Sequence, residues 1–133
     1  MVLITADPIN PSQQYSLISA VMSGSVVFHY AVVKEQTGNG KATTCIDYQF
    51  SPDAEKELNI IAEEIRQKWQ VEDVLLVRRS GCLSVGDIIS LVAASSPSSE
   101  DAFDACRYGI SRLKKMQSVD KQEQFADTGK GES

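Results

Sequence analysis

Histidine is nearly absent from this 133-residue chain. His29 is the sole example, so neither a multi-histidine metal site nor the usual serine-histidine triad can be assembled without it. In a stretch of alternating residues it reads first as a structural group. Cysteine is scarce as well. Cys45, Cys82 and Cys106 are odd in number and far apart, without the paired spacing of a zinc site or redox dithiol, and they read as reduced thiols. No apolar run approaches the roughly 20 residues that span a bilayer, and the amino terminus lacks a basic segment followed by a signal core. The expectation is a soluble, cytoplasmic protein with no membrane partner, no metal and no cofactor. Basic residues are outnumbered, 13 Lys plus Arg against 18 Asp plus Glu for a net charge of -5. That balance argues against a general nucleic-acid binder, because phosphate backbones attract cationic surfaces.

What is present fits one ordinary domain. The apolar fraction of 42% supports a core that needs no external clamp, and residues 1–126 read as that domain, with 127–133 as a flexible, Gly- and Ser-containing tail. Val2 to Thr5 reads as an edge strand. The spacing of Tyr15, Ile18, Val21 and Met22 predicts a helix over 12–22 that Gly24 ends. Ser25 to Val33 and Ala42 to Phe50 are strand-like, with a polar loop between them. Ser51 and Pro52 precede a helix over 52–69, whose apolar stripe is Leu58, Ile61, Ile65 and Trp69. Asp73 to Arg79 and Asp87 to Ala94 are further strands, joined by a connection that holds Gly81 and Gly86. Ser95 to Ser99 is a break, and Ser98 with Asp101 resembles a capping box for a helix to about Met116. This order predicts an α+β domain with a mixed, mainly antiparallel sheet, since it lacks the strict alternation of a doubly wound fold.

On the last helix, with Phe103 as origin, Lys114 falls roughly 20° and Arg107 roughly 40° away, bordering the apolar side. Such a lysine either snorkels, its stem covering apolar surface, or sits at a pocket rim where partial desolvation frees its amine for chemistry. The cluster Arg107, Arg112, Lys114, Lys115 and Lys121 is the densest basic region of an acidic chain and suits an anion the size of a phosphate ester.

The run Arg79-Ser80-Gly81-Cys82-Leu83-Ser84-Val85-Gly86-Asp87, the helix with Ala102-Phe103-Asp104-Ala105, and the continuation through Leu113-Lys114 to Lys121-Gln122-Glu123 resemble the molybdopterin synthase large (catalytic) subunit. The resemblance reaches back more weakly to Gly24-Ser25-Val26-Val27. It implies an α/β hammerhead fold and a homodimer, each large subunit receiving the tail of a small ubiquitin-like sulfur-carrier subunit to give a heterotetramer. It also implies a sulfurtransferase of molybdenum cofactor biosynthesis, which moves sulfur from the tail's thiocarboxylate to cyclic pyranopterin monophosphate. Within it Lys114 corresponds to the catalytic lysine. Lys121 corresponds to a second active-site lysine, with Glu123 at a matching acidic position.

Three departures mark this chain. Ser98-Ser99 stands where the family usually has a His-Arg pair, removing a proton-transfer group and a guanidinium. Lys34 replaces an arginine after the first long strand, keeping charge without the bidentate fork. Gln117-Ser118-Val119-Asp120 replaces the usual aromatic and proline residues between the lysines. Two readings follow: an active enzyme with Lys114 catalytic and Lys121, Lys34 and Arg107 binding substrate, or a non-catalytic relative that keeps the dimer and the partner groove.

Overall fold

The strand Asp73–Arg79 (β5) shows how the layers are built. Val74 and Leu76 turn to one face and Leu75 and Val77 to the other, and all four are fully buried, so the strand lies in a sheet covered on both sides. Each such side chain contributes about 1.5–3 kcal/mol relative to an exposed one. The computed structural model describes residues 1–35, 37, 38 and 41–125. The tail expected over 127–133 and part of the polar loop before the second long strand lie outside these residues.

The remaining elements, in chain order, are β1 (Val2–Thr5), α1 (Pro11–Gln14), β2 (Ser25–Val32), β3 (Thr37–Gly38), β4 (Lys41–Phe50), α2 (Ala54–Lys68), β6 (Gly81–Ser84), β7 (Ile88–Ser96), α3 (Ser99–Lys114) and β8 (Val119–Phe125). One sheet has the order β1-β5-β7-β2, parallel between β1 and β5 and antiparallel elsewhere. In the second, β4 pairs antiparallel with β3, β6 and β8. The mixed, mainly antiparallel α+β expectation therefore holds. Helices α2 and α3 cover one face of the first sheet through Leu58, Ile61, Ile65, Ala105, Cys106 and Leu113. The opposite face packs Leu75, Val77, Leu91 and Ala93 under Ile9 and Ile18.

The long helices form where their apolar stripes predict them. Ser98 caps α3, its hydroxyl accepting from the Asp101 amide at 3.2 Å. The helix expected over 12–22 is a correction: α1 covers four residues, a 3-10 turn follows over Tyr15–Leu17, and Ile18 is extended. The cause is Glu72. Its carboxylate accepts from the Ser19 and Ser23 hydroxyls and from the Val21 and Met22 amides, fixing these backbone groups outside any helix. Three further corrections concern strands and thiols. Ser95 and Ser96 belong to β7 and are fully buried, their hydroxyls donating to the Ser19 and Gln70 carbonyls. The connection at Gly81 holds β6, with Gly81 and Gly86 both at positive φ, a conformation glycine adopts without Cβ strain. Cys45 and Cys82 are joined as a disulfide across β4 and β6, their Cα atoms 5.6 Å apart. Only Cys106 is a free thiol, and burial pushes it up to about 11.

The turn from α3 into β8 is tied to α2. Glu57 accepts from the Gln117 and Ser118 amides, each at 3.0 Å, and from the Ser118 hydroxyl. Burial pushes the Glu57 carboxyl up, but the Ser118 hydroxyl and the two amides together outweigh it and hold the group below the ordinary value of 4.5. A depressed carboxylate stabilises the fold above its unfolded value and loses that contribution as pH falls through the folded one. Glu57→Ala is therefore expected to lower the unfolding midpoint at pH 7, with the difference from wild type shrinking below pH 4.5; a difference that grows on acidification would contradict this. Helix α3 approaches the sheet through Gly109, where an added Cβ would stand 2.8 Å from Val92 Cγ1. Gly109→Ala is expected to cost about 1–3 kcal/mol in denaturant unfolding, despite a helix-propensity gain of about 1 kcal/mol. Equal or greater stability would show that this contact yields.

Candidate active site

A cavity of about 620 Å³ lies between β2 and β7 of the first sheet, β4 and β8 of the second, and the carboxyl-terminal end of α3. Lys114 is the last residue of α3. Lys121 is in β8 directly opposite Tyr48 of β4, so the two side chains share a face of the ladder. Lys34 follows β2, where the Val33 amide donates to the Asp87 carbonyl and the Val33 carbonyl accepts from the Gly86 amide. All three lysines line the cavity. Among the described residues none is ion-paired.

Arg107 does not join them. It is exposed and pairs with Asp104 one turn earlier on α3, at 2.7 Å. Taking Phe103 as the origin of the helix face misplaced it: Phe103 is 54% exposed, and the buried stripe is Ala102, Ala105, Cys106, Gly109 and Leu113, centred roughly 100° away. Arg112 is also committed elsewhere, bonded to Glu64 at 2.9 Å beside the Tyr108 hydroxyl. The basic cluster of the sequence therefore divides, and only Lys114 and Lys121 of it reach the cavity.

Two further groups lie at the cavity: Arg78, which the sequence reading did not mark, and His29, which it took as structural. Arg78 ends the buried run of β5. Strand alternation places it on the helix side with Val74 and Leu76, and its Nη1 donates to the Leu113 carbonyl at 2.9 Å. The Tyr48 and Phe50 rings lie 5.8 and 5.3 Å from its guanidinium carbon. Burial pulls Arg78 below its usual value, with Tyr48 and Glu57 acting against that shift; a guanidinium stays charged regardless. Its signal was a cation directly after four apolar residues. His29 points from β2 into the same space, its Nδ1 buried without a hydrogen-bond partner. Burial raises Tyr48, an effect Arg78 partly offsets and Glu123 reinforces.

The cavity of this acidic protein thus carries Lys34, Arg78, Lys114 and Lys121, with no aspartate or glutamate among its described lining residues. That arrangement attracts a compact, multiply charged anion. Ser98 and Ser99 are not at this cavity. Ser99 begins α3 and Lys114 ends it, and 15 helical steps separate the two by roughly 22 Å. Ser98 serves as cap and the Ser99 hydroxyl bonds that of Ser25. The His-Arg pair that the resemblance leads one to expect would therefore be remote from this chain's own lysines. Among the described residues no cluster of histidine, cysteine and carboxylates could hold a metal, and no helix is long and apolar enough to cross a membrane.

The family model described as MoaE protein matches residues 4–116. The molybdopterin synthase catalytic subunit of Staphylococcus aureus (strain COL) is 35% identical over 128 residues, covering 96% of this chain and 86% of that relative. The crystal structure of molybdopterin synthase from Staphylococcus aureus superposes with a TM-score of 0.86 at 35% identity, covering 93% of this chain and 90% of the other. A complex of subunits 1 and 2 of the molybdopterin-converting factor from Helicobacter pylori 26695 shares the fold, with a TM-score of 0.71 at 9% identity over 96% of this chain and 90% of that one. Coverage of most of the chain by sequence and by fold leads to one conclusion: the chain belongs to the MoaE family.

Proposed function

We propose that this protein is a molybdopterin synthase catalytic subunit, a sulfurtransferase of molybdenum cofactor biosynthesis that moves sulfur from a small-subunit thiocarboxylate to cyclic pyranopterin monophosphate. The observation that carries the reading is the placement of Lys114 and Lys121 at one cavity that holds cations and no described acid. Relatives named as this subunit, and a neighbour whose title names a complex of two subunits, support the same assignment.

In this reading Lys114 is the catalytic lysine. Its ammonium, beside the thiocarboxylate carbonyl, stabilises negative charge that develops on oxygen as sulfur is transferred, and its position at the end of a packed helix fixes it beforehand. Lys121 and Lys34 hold the substrate's anionic groups. Arg107 is left out of the site because it is paired with Asp104 outside the cavity. The partner is a small ubiquitin-like sulfur carrier whose carboxyl-terminal tail enters the cavity, and the large subunit acts as a homodimer within a heterotetramer. Residues 1–126 form the working domain. A cytoplasmic location completes the proposal.

The active reading is favoured over a non-catalytic relative because the Ser98-Ser99 departure lies at the far end of α3 and opens no gap among this chain's own lysines. Mixed with a thiocarboxylated small subunit and the cyclic pterin, the purified chain is expected to form dithiolene product. Lys114→Ala is expected to lower kcat by about 100-fold or more, the scale of losing one charge-stabilising donor, while still binding the small subunit. Normal partner binding without product from the wild-type chain would overturn the enzyme reading, and full activity in Lys114→Ala would remove the role given to that lysine.

A further inference from the structure

Arg78 is the exception among the arginines of this chain. Arg66, Arg79, Arg107 and Arg112 each have a carboxylate within 4.0 Å. Arg78, only 7% exposed, is the most buried of the five and has no such partner among the described residues. Its Nη1 contacts two neutral acceptors, the Leu113 carbonyl at 2.9 Å and Met116 Sδ at 3.4 Å. Its Nε is buried with no hydrogen-bond partner among the described residues. Glu57 acts on Arg78 only through longer-range attraction. A guanidinium withdrawn from water without a carboxylate in contact destabilises the protein that carries it, and a fold that keeps one at the wall of a cavity keeps it where an anion can supply the missing contact.

The surroundings favour phosphate. The guanidinium is held by the rings of Tyr48 and Phe50 and by the last turn of α3, so its planar fork is fixed before a ligand arrives. Lys34, Lys114 and Lys121 line the same cavity. An arginine fork matches two phosphate oxygens at once, which a lysine cannot do, and no other arginine lines this cavity.

We propose that Arg78 is the anion-binding residue at the inner wall of the cavity, receiving the phosphate of the substrate. In the pterin-specific form this inference rests on the function proposed above; in its chemical form, a phosphate site built on Arg78, it stands on the geometry. Arg78 is thereby a specificity-determining residue, selecting a phosphorylated substrate, while Lys114 remains at the sulfur-transfer step.

The test is a titration of the full chain with inorganic phosphate, followed through the arginine Nε–H resonances and by calorimetry, for wild type, Arg78→Met and Arg78→Lys. Wild type is expected to bind saturably with the Arg78 signal moving. Arg78→Met keeps an apolar side chain of similar reach and is expected to bind phosphate about tenfold more weakly or worse, the scale of losing a charged hydrogen bond. Arg78→Lys is expected to fall between them. Phosphate is expected to raise the melting temperature of wild type and not that of Arg78→Met. Should Arg78→Met fail to fold, the wild-type Arg78 signal and Arg78→Lys decide the matter. Unchanged phosphate affinity in a folded Arg78→Met, no wild-type binding, or binding that leaves the Arg78 signal still would overturn the inference. Phosphate binding through Arg78 without dithiolene product would instead overturn the proposed activity and leave the site standing, whereas product formation without phosphate binding would do the reverse.

Discussion

The pairing of β8 with β4 is the constraint on which the site depends. Helix α3 ends at Lys114, and five residues later the chain enters a strand whose ladder sets Lys121 against Tyr48. Glu57 holds the turn between them by its backbone amides. Without that ladder the lysines would sit on a helix end and a loose segment, with no wall to define a cavity. With it, the second sheet closes over the helix side of the first, and Val33, Ile46, Tyr48 and Leu83 form the small core that fixes their relation. Packing thus sets the geometry before any chemistry is asked of it.

Charge placement supplies the second half of the account. The chain carries a net charge of -5, yet none of its described acids lines the cavity: Glu72 is spent on the amino-terminal segment, Glu57 on the α3–β8 turn, Glu64 on Arg112 and Asp104 on Arg107. Glu57 and Glu123 act on Arg78 and Tyr48 from outside the lining. The charged groups among the described lining residues are all cations. Bringing four positive groups to one space is unfavourable by mutual repulsion, and an entering anion relieves that repulsion. On the function proposed above, the same arrangement draws in a phosphorylated substrate and the negatively charged thiocarboxylate tail.

Much of this architecture was legible in the sequence, and the failures have physical causes. β5 and α2 follow from strong apolar patterns, and the Ser98 cap from its spacing to Asp101. β8 was invisible because Val119–Phe125 is mostly polar, and its partner is supplied by a strand about 70 residues earlier. The helix expected over 12–22 lost to a single carboxylate, Glu72, that captures the backbone from just before β5. Cys45 and Cys82 stand 37 residues apart, and their meeting needed the unforeseen β6. For the site, Lys114 and Lys121 came through family resemblance, since helical periodicity alone left Lys114 with a snorkelling alternative. Arg107 was included because the helix face was set from Phe103, an exposed residue. Arg78 was overlooked because a cation after an apolar run looks like a strand end, whereas the fold buries it.

The central claim is that the cationic cavity, and no other surface of the chain, receives the phosphorylated pterin. A crystal structure of the protein with cyclic pyranopterin monophosphate tests it most directly. The account predicts the pterin between α3, β4 and β8, its phosphate on Arg78 and its reacting carbons facing Lys114. Ligand density in the shallow groove beside Ser51, Lys56 and Gln117, with the cationic cavity left without pterin, would contradict it.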